Sequence, residues 1–241
     1  MAIDINCDMG EAFSIYKCGD DEGLMPLITV ANVACGFHAS DPTVMKKTVD
    51  LARKHGVRVG AHPSFPDRQG FGRRVMNMRH DDLVNCIVYQ VGALKGFLDL
   101  QGMPLNHIKP HGALYTAAAK DEALAHAIAD AVALFDVPIM GMPGTVHEKV
   151  YTDRGLRFLA EYYTDLQYDD DGQLILTVEH DPVDAEQAAA NCLRVIKEGK
   201  APTVSGRDIP MRADTICVHS DTPGAVELAL TVRNALRPHL A

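Results

Sequence analysis

Tryptophan is absent from this chain of 241 residues and aromatic residues make up only 6% of it, so aliphatic side chains must fill the core. None of the six cysteines forms a Cys-x-x-Cys unit, which argues against a thiolate zinc cage. Several lie in apolar, strand-like runs, which favours buried free thiols over disulfides. The formal net charge is -9 and no basic cluster occurs, so binding to nucleic acid is not expected.

The first residues contain neither a basic segment nor a long apolar run. We therefore expect a cytoplasmic protein without a signal peptide or a membrane anchor. No Gly-x-Gly-x-x-Gly follows the first apolar run, and no Gly-x-x-x-x-Gly-Lys-Ser/Thr occurs. If the reaction uses ATP, the nucleotide is expected to bind to another chain. The sequence leaves open whether the chain forms a homo-oligomer.

Short apolar runs alternate with longer helical segments along the whole chain, which predicts an α/β fold with a parallel sheet. Predicted inner strands cover residues 3–7, 28–35, 57–61, 105–108, 138–142, 157–160 and 215–218. Predicted helices cover 42–55, 79–100, 113–135, 146–153, 182–197 and 223–236, with a further strand at 174–178. About seven such units in one domain, residues 1–241, favour a closed or nearly closed (β/α) barrel. An open, doubly wound sheet is the alternative.

Polar side chains collect where the predicted strands end. They are Asn6, Asp8, Glu11, His38, His62, Lys109, His111, Glu161, His219 and Asp221. The carboxyl ends of parallel barrel strands form one face, so these side chains are expected to form one catalytic site. The other histidines considered fall in predicted helices or loops and are expected at the surface. They are His55, His80, His126, His147, His180 and His239.

An irregular loop rich in proline and glycine follows the third strand and contains Arg68, Arg73 and Arg74. A guanidinium in this loop is suited to clamp a carboxylate or phosphate. The same arginines are equally suited to tie the loop to the body through Asp67 or Asp20. Both interpretations stay open.

Several motifs resemble those of the LamB/YcsF family of 5-oxoprolinase subunits. They are residues 4–11 (DINCDMGE), 32–41 (NVACGFHASD), 60–67 (GAHPSFPD), 70–74 (GFGRR), 109–115 (KPHGALY) and 217–219 (CVH). The resemblance implies a distorted, TIM-like (β/α) barrel similar to glycoside hydrolase/deacetylase folds. It also implies ATP-coupled opening of 5-oxoproline to glutamate, with partner subunits B and C. ATP bound mainly by those partners fits the missing nucleotide motifs.

The chain departs from the family pattern in its last third. Leu166 stands where the family has an arginine, and Thr177 stands near the place of a second one. Glu161 is kept, and Asp165 takes the place of a family aspartate. Because the two arginines suit a substrate carboxylate, their loss leaves open whether 5-oxoproline is the substrate.

Lactam hydrolysis requires a base for water, an acid for the ring nitrogen and a cationic clamp. The expected base is Asp8 or Glu161, and the expected acid is His62 or His111. The remaining candidates are expected to bind substrate. They are Asn6, Glu11, Arg73, Lys109, Tyr115 and His219.

Two other functions remain open. Asp8, His38 and His62 are suited to hold a divalent metal for amide hydrolysis, as in deacetylases of similar fold. Alternatively, the chain binds a small organic acid for its partners without catalysing a reaction itself.

Overall fold

The structure, a computed structural model, describes residues 2–175 and 182–240. Seven parallel strands close into a barrel: β1 (Asp4–Met9), β2 (Val30–Ala34), β3 (Arg58–His62), β4 (Leu105–Ile108), β5 (Ile139–Gly141), β6 (Phe158–Tyr163) and β11 (Thr215–Val218). Consecutive strands are neighbours, and β11 closes the barrel between β6 and β1. The predicted barrel is confirmed, and the open, doubly wound alternative is wrong.

Helices connect most of the barrel strands. They are α1 (Asp21–Leu24), α2 (Pro42–His55), α3 (His80–Gln101), α4 (Gly112–Ala118), α5 (Glu122–Ala133), α6 (Val146–Asp153), α7 (Ala185–Glu198) and α8 (Ala225–Leu236). By length and apolar composition α3 resembles a membrane-spanning helix. Most of its buried residues, such as Leu83, Ile87 and Leu94, belong to the hydrophobic core, as in a helix that packs against a barrel.

The bounds of α2 follow from local signals and match the prediction. The Asp41 carboxylate accepts the backbone N–H groups of Thr43 and Val44 at 2.8 and 3.0 Å, which caps the first turn. Pro42 occupies the first helical position, where no N–H donor is needed. Gly56 ends the helix with a φ of 69°, a backbone conformation that glycine adopts without strain.

Several predicted elements differ from the structure. The predicted helix at 113–135 is divided into α4 and α5, because Asp121 caps α5 by accepting the N–H groups of Ala123 and Leu124. Strand β6 extends to Tyr163, so Glu161 lies inside the strand and not after it.

Two short hairpins lie outside the barrel. The first pairs β7 (Gln167–Tyr168) with β8 (Leu174–Ile175), and the rest of the predicted strand at 174–178 lies outside the described residues. The second hairpin pairs β9 (Lys200–Pro202) with β10 (Asp208–Pro210) and was not predicted.

The barrel interior contains the imidazole ring of His107, which fits only because the neighbouring strand has a glycine beside it. His107 on β4 is fully buried, and its Nε2 lies 2.7 Å from Oδ1 of Asn32. A methyl group at Gly60 on β3 would overlap this imidazole. Gly60 therefore leaves the space that the His107 ring fills.

Gly60→Ala is expected to lower the free energy of unfolding by about 1–3 kcal/mol, because the added methyl overpacks a buried ring. Urea denaturation of both proteins measures this difference. Gly92→Ala is the matched control, since that exposed helical position has open space, and a gain of about 0.5–1 kcal/mol is expected there. Equal stability of the two variants would contradict this account of Gly60.

Candidate active site

A cavity of about 250 Å³ lies at the carboxyl ends of the barrel strands. Many predicted site residues line it: Asp8, Glu11, His62, Arg73, Lys109, His111, Tyr115, His219 and Asp221. Three others, Asn6, His38 and Glu161, are buried but do not line this cavity. The volume lies below the roughly 300–1,000 Å³ of pockets for drug-sized ligands, so the cavity has room only for a smaller molecule.

Lys109 is the central cation of the cavity floor. Its side chain is 2% exposed, and Nζ lies 3.0 Å from Asp8 Oδ1 and 2.8 Å from Glu161 Oε1. Nζ also lies 3.2 Å from Sγ of Cys217, so it contacts side chains of three other barrel strands. Burial alone would lower the pKa of Lys109, but the nearby carboxylates raise it well above its usual value. A charged ammonium therefore lies at the base of the cavity.

Asp8 is an ionised carboxylate that faces the cavity. Its Oδ1 accepts a 2.7 Å hydrogen bond from Asn32 Nδ2, and its Oδ2 lies 3.1 Å from His62 Nε2. Burial opposes ionisation, but His62 and Lys109 lower the pKa of Asp8 well below its usual value. Asn6 supports this arrangement from behind, since its Oδ1 accepts from the same Asn32 amide at 2.7 Å.

Glu161 is fully buried and has no contact with the cavity. Its Oε2 accepts hydrogen bonds from the hydroxyls of Tyr115 and Tyr163 at 3.0 and 2.9 Å. With Lys109 on its other oxygen, Glu161 positions groups that do line the cavity. Asp8 and Glu161 were both considered as the base, and only Asp8 faces the substrate space.

His219 carries a proton at the cavity wall. Its Nδ1 lies 2.9 Å from Asp165 Oδ1, and Asp165 Oδ2 accepts the backbone N–H of His219 at 2.7 Å. Burial alone would lower the pKa of His219, but the Asp165 carboxylate raises it to about 9. The ring also stacks against Tyr163, and Nε2 lies 3.8 Å from Asp8 Oδ2.

This ion pair predicts how stability changes with pH. The pKa of His219 rises from 6.5 to about 9 on folding, so its contribution is complete below pH 6.5 and is lost as the pH rises through 9. The difference in unfolding free energy between wild type and His219→Gln should therefore be largest near pH 6.5 and should decrease toward pH 9. Urea denaturation at several pH values measures it. His55 is exposed, so His55→Gln is the control and should show the same change of unfolding free energy with pH as wild type. If the unfolding free energies of wild type and His219→Gln differed by the same amount at every pH, the prediction would be contradicted.

Three histidines and a carboxylate form a buried cluster beside the cavity. One ligand atom from each of Glu11, His38, His62 and His111 lies within 4.8 Å of the others. Asp8, expected in the metal site with His38 and His62, belongs instead to a second group with Cys217 and His219. The described residues therefore offer two places where a metal ion could be held.

The three loop arginines have different roles. Arg74 forms an ion pair with the buried Asp67, which ties the loop to itself, and Arg68 donates to the Ser40 carbonyl at 3.0 Å. Arg73 lines the cavity and lies 2.6 Å from Asp221. Of these three, only Arg73 can reach a ligand in the cavity.

Sequence reasoning missed some residues and misplaced one. Asn32 and His107 were not singled out, although each is a polar residue inside an apolar strand, which is the available signal. His147 was expected at the surface but is fully buried, because its Nδ1 accepts the Met142 N–H and its ring stacks on Tyr151. This expectation was wrong.

Leu166 and Thr177 stand where the family motifs have arginines, and the structure describes only the first of these two positions. Leu166 lines the cavity, so the missing arginine leaves an apolar wall there. Thr177 lies outside the described residues, as does His180.

A closed parallel barrel with a charged cavity at the carboxyl ends of its strands defines a (β/α)-barrel protein with a candidate active site at that face. The chain belongs to the LamB/YcsF family, whose model matches residues 3–240. The resemblance found from the motifs is thereby confirmed.

Individual relatives match along almost the whole chain. Proteins from Syntrophobacter fumaroxidans and Staphylococcus haemolyticus, both named as the A subunit of 5-oxoprolinase, are each 45% identical to it. The matches cover 98% of this chain and 95% and 96% of the relatives. A crystal structure of a lactam utilization protein from Thermus thermophilus superposes with a TM-score of 0.92 at 43% identity, covering 99% of this chain and 97% of that one.

Proposed function

We propose that this chain is one subunit of an ATP-dependent 5-oxoprolinase, which hydrolyses 5-oxo-L-proline to L-glutamate. The names of relatives at 45% identity support this substrate. The site supports it through three charged groups, Asp8, Lys109 and His219, that surround one small cavity. Such a cavity suits a small polar ring, and these charges are the groups that amide hydrolysis requires.

A five-membered lactam is a poor electrophile, so ATP is proposed to phosphorylate its carbonyl oxygen. One water then adds to the activated carbon, and the carbon–nitrogen bond breaks to leave an acyl phosphate. A second water cleaves this acyl phosphate to glutamate and phosphate. Asp8 takes the proton from water, since it lines the cavity as an ionised carboxylate beside Lys109. The Lys109 ammonium stabilises the negative oxygen that develops.

His219 is the proposed acid for the departing ring nitrogen. It lines the cavity, and Asp165 keeps it protonated through a raised pKa of about 9. His111 suits this role less well, because burial and the neighbouring His38 lower the pKa of its ring well below the usual value. His62 is proposed to orient Asp8, whose Oδ2 lies 3.1 Å from its Nε2.

Arg73 is proposed to bind the substrate carboxylate. Leu166 offers no charge on its side of the cavity, whereas Arg73 lines the cavity near Asp221. A substrate carboxylate there would replace or share the Asp221 contact. Tyr115 and Glu11 line the same space and are proposed to contact the ring.

Partner subunits B and C in the cytoplasm are proposed to bind the ATP. Release of glutamate from 5-oxoproline should require ATP and all three subunits, because the described residues form no phosphate-binding loop after β1. Mass spectrometry of the products, with the chain alone and with both partners, tests this. The partners are first shown to be active with the A subunit of a relative. If the same partners then release no glutamate with this chain, the proposed substrate is contradicted.

Metal-dependent amide hydrolysis is the second candidate function, favoured by the buried histidine cluster. A bound divalent ion would polarise a carbonyl and make its carbon more electrophilic. That function predicts amide cleavage by the isolated chain with metal and without ATP. Binding of 5-oxoproline without turnover in the complete mixture would instead indicate a non-catalytic binding subunit.

A further inference from the structure

We propose that Glu11, His38, His62 and His111 form a binding site for one divalent transition-metal ion such as zinc. All four side chains are buried, and they come from the loop after β1, the loop after β2, the end of β3 and the segment after β4. An ion can bind there whether or not the chain opens a lactam, so the site does not depend on the proposed 5-oxoprolinase activity.

Backbone carbonyls determine the tautomers of two of the rings. His62 Nδ1 lies 2.7 Å from the Lys109 carbonyl oxygen, and His111 Nε2 lies 2.8 Å from the Phe71 carbonyl oxygen. A carbonyl oxygen can only accept, so each of these nitrogens carries the hydrogen. The other nitrogens, His62 Nε2 and His111 Nδ1, are therefore the ones left to bind an ion. Metal-bound histidines are oriented by the same kind of outer hydrogen bond.

These two nitrogens face each other and a third ligand atom. His62 Nε2 and His111 Nδ1 lie 3.0 Å apart, and His111 Nδ1 lies 3.3 Å from Glu11 Oε1. The three atoms therefore converge on one small volume, where a single cation can contact all of them. His62 Nε2 also lies 3.1 Å from Asp8 Oδ2, so a further carboxylate oxygen borders this volume.

His38 adds a third ring to the cluster. Its Nε2 lies 3.1 Å from Glu11 Oε1, and its ring stacks on that of His111 with centroids 3.8 Å apart. The same Glu11 oxygen lies 3.3 Å from His111 Nδ1, so His38 and His111 can reach one ion beside it.

The second group of ligand atoms is less suited to an ion. Lys109 Nζ lies 3.0 Å from Asp8 and 3.2 Å from Cys217, and Asp165 holds His219 through Nδ1. An ammonium already supplies the positive charge at Asp8. The proposed site therefore takes Glu11 and His111 as ligands in place of Asp8.

The donor set indicates which ions fit. Three imidazoles and one carboxylate suit zinc, cobalt, nickel or iron, whereas magnesium and calcium prefer oxygen ligands. Glu11, His62 and His111 also line the cavity, so the ion would contact whatever the cavity holds.

Metal titration of the full-length, untagged protein tests the site. After chelator treatment, calorimetry should show one zinc ion per chain, and cobalt should produce visible absorption bands typical of nitrogen and oxygen ligands. His111→Ala and Glu11→Gln should each weaken zinc binding by at least about 100-fold, beyond the 10–100-fold expected for loss of an outer hydrogen-bonding partner. Zinc should also raise the melting temperature of wild type but not of these variants.

His55→Ala is the control, since His55 is exposed at the end of α2 and is not part of the cluster. It should bind zinc as wild type does. No stoichiometric zinc binding by wild type would overturn the proposal and indicate that a proton occupies the cluster. Glutamine has nearly the shape of glutamate, so unchanged zinc binding by folded Glu11→Gln would also overturn the proposal. A loss of zinc binding in His55→Ala but not in the cluster variants would overturn it as well. Glutamate release is a separate assay, so failure of the proposed function would not be confused with failure of this site.

Discussion

Lys109→Met is expected to lower the free energy of unfolding by about 3–5 kcal/mol, a large part of the stability of most domains. Methionine keeps much of the volume but removes the ammonium that lies between Asp8 and Glu161. Both carboxylates would then be buried without their cation, and Glu161 is completely shielded from water. Urea denaturation at pH 7 measures the loss.

A matched control and a partial rescue make this prediction specific. Lys95→Met removes an exposed ion pair with Asp99 and should change stability by no more than about 0.5 kcal/mol. Adding Glu161→Gln to Lys109→Met should recover part of the loss, because it removes the buried Glu161 carboxylate, whereas Asp8 still has His62 and His219 beside it. A loss under about 1 kcal/mol in the single variant would show that Lys109 does not neutralise a buried charge.

Asp8→Asn is expected to reduce ATP-dependent glutamate release by about 10²–10⁴-fold, the usual contribution of a general base. Asparagine has nearly the same shape and can keep a polar contact with Asn32, but it cannot accept a proton from water. The turnover number of the complete enzyme, with ATP and 5-oxoproline saturating, is the quantity to measure.

Asp4→Asn provides the comparison, because Asp4 lies on the same strand at the opposite end of the barrel. Its carboxylate accepts from Thr29 and pairs with Arg58, away from the cavity, so turnover should stay within a few-fold of wild type. If Asp8→Asn also turns over within a few-fold of wild type, Asp8 is not the base.

Local signals explain which elements were predictable from the sequence. Asp41 and Gly56 fix both ends of α2 through contacts within a few residues, and the apolar runs identify the barrel strands. The division between α4 and α5 was missed because the alanine-rich segment continues the helical pattern on both sides of Asp121. The full length of β6 was missed because the charged Glu161 interrupts the apolar run and was placed at the strand end, although Tyr162 and Tyr163 continue the strand.

The strand-end pattern predicted which side chains meet, but not how deep each one lies. Asp8 and His219 line the cavity, whereas Glu161 and Asn6 lie behind it. This depth depends on the pleat and register of each strand, which the order of residues does not reveal. His107 shows the same limit, since its ring fits only because Gly60, on the neighbouring strand, has no side chain.

The contacts of Lys109 with side chains from three other strands limit how this protein can be re-engineered. Any single change in that charged floor leaves a neighbouring charge without its partner, so a new substrate preference is hard to introduce there. Thr116, Leu166 and Leu174 also line the cavity, and they lie outside the group of side chains that holds the ammonium. Directed evolution toward a larger or uncharged lactam should therefore accumulate its first mutations at these three rim positions and leave the floor intact.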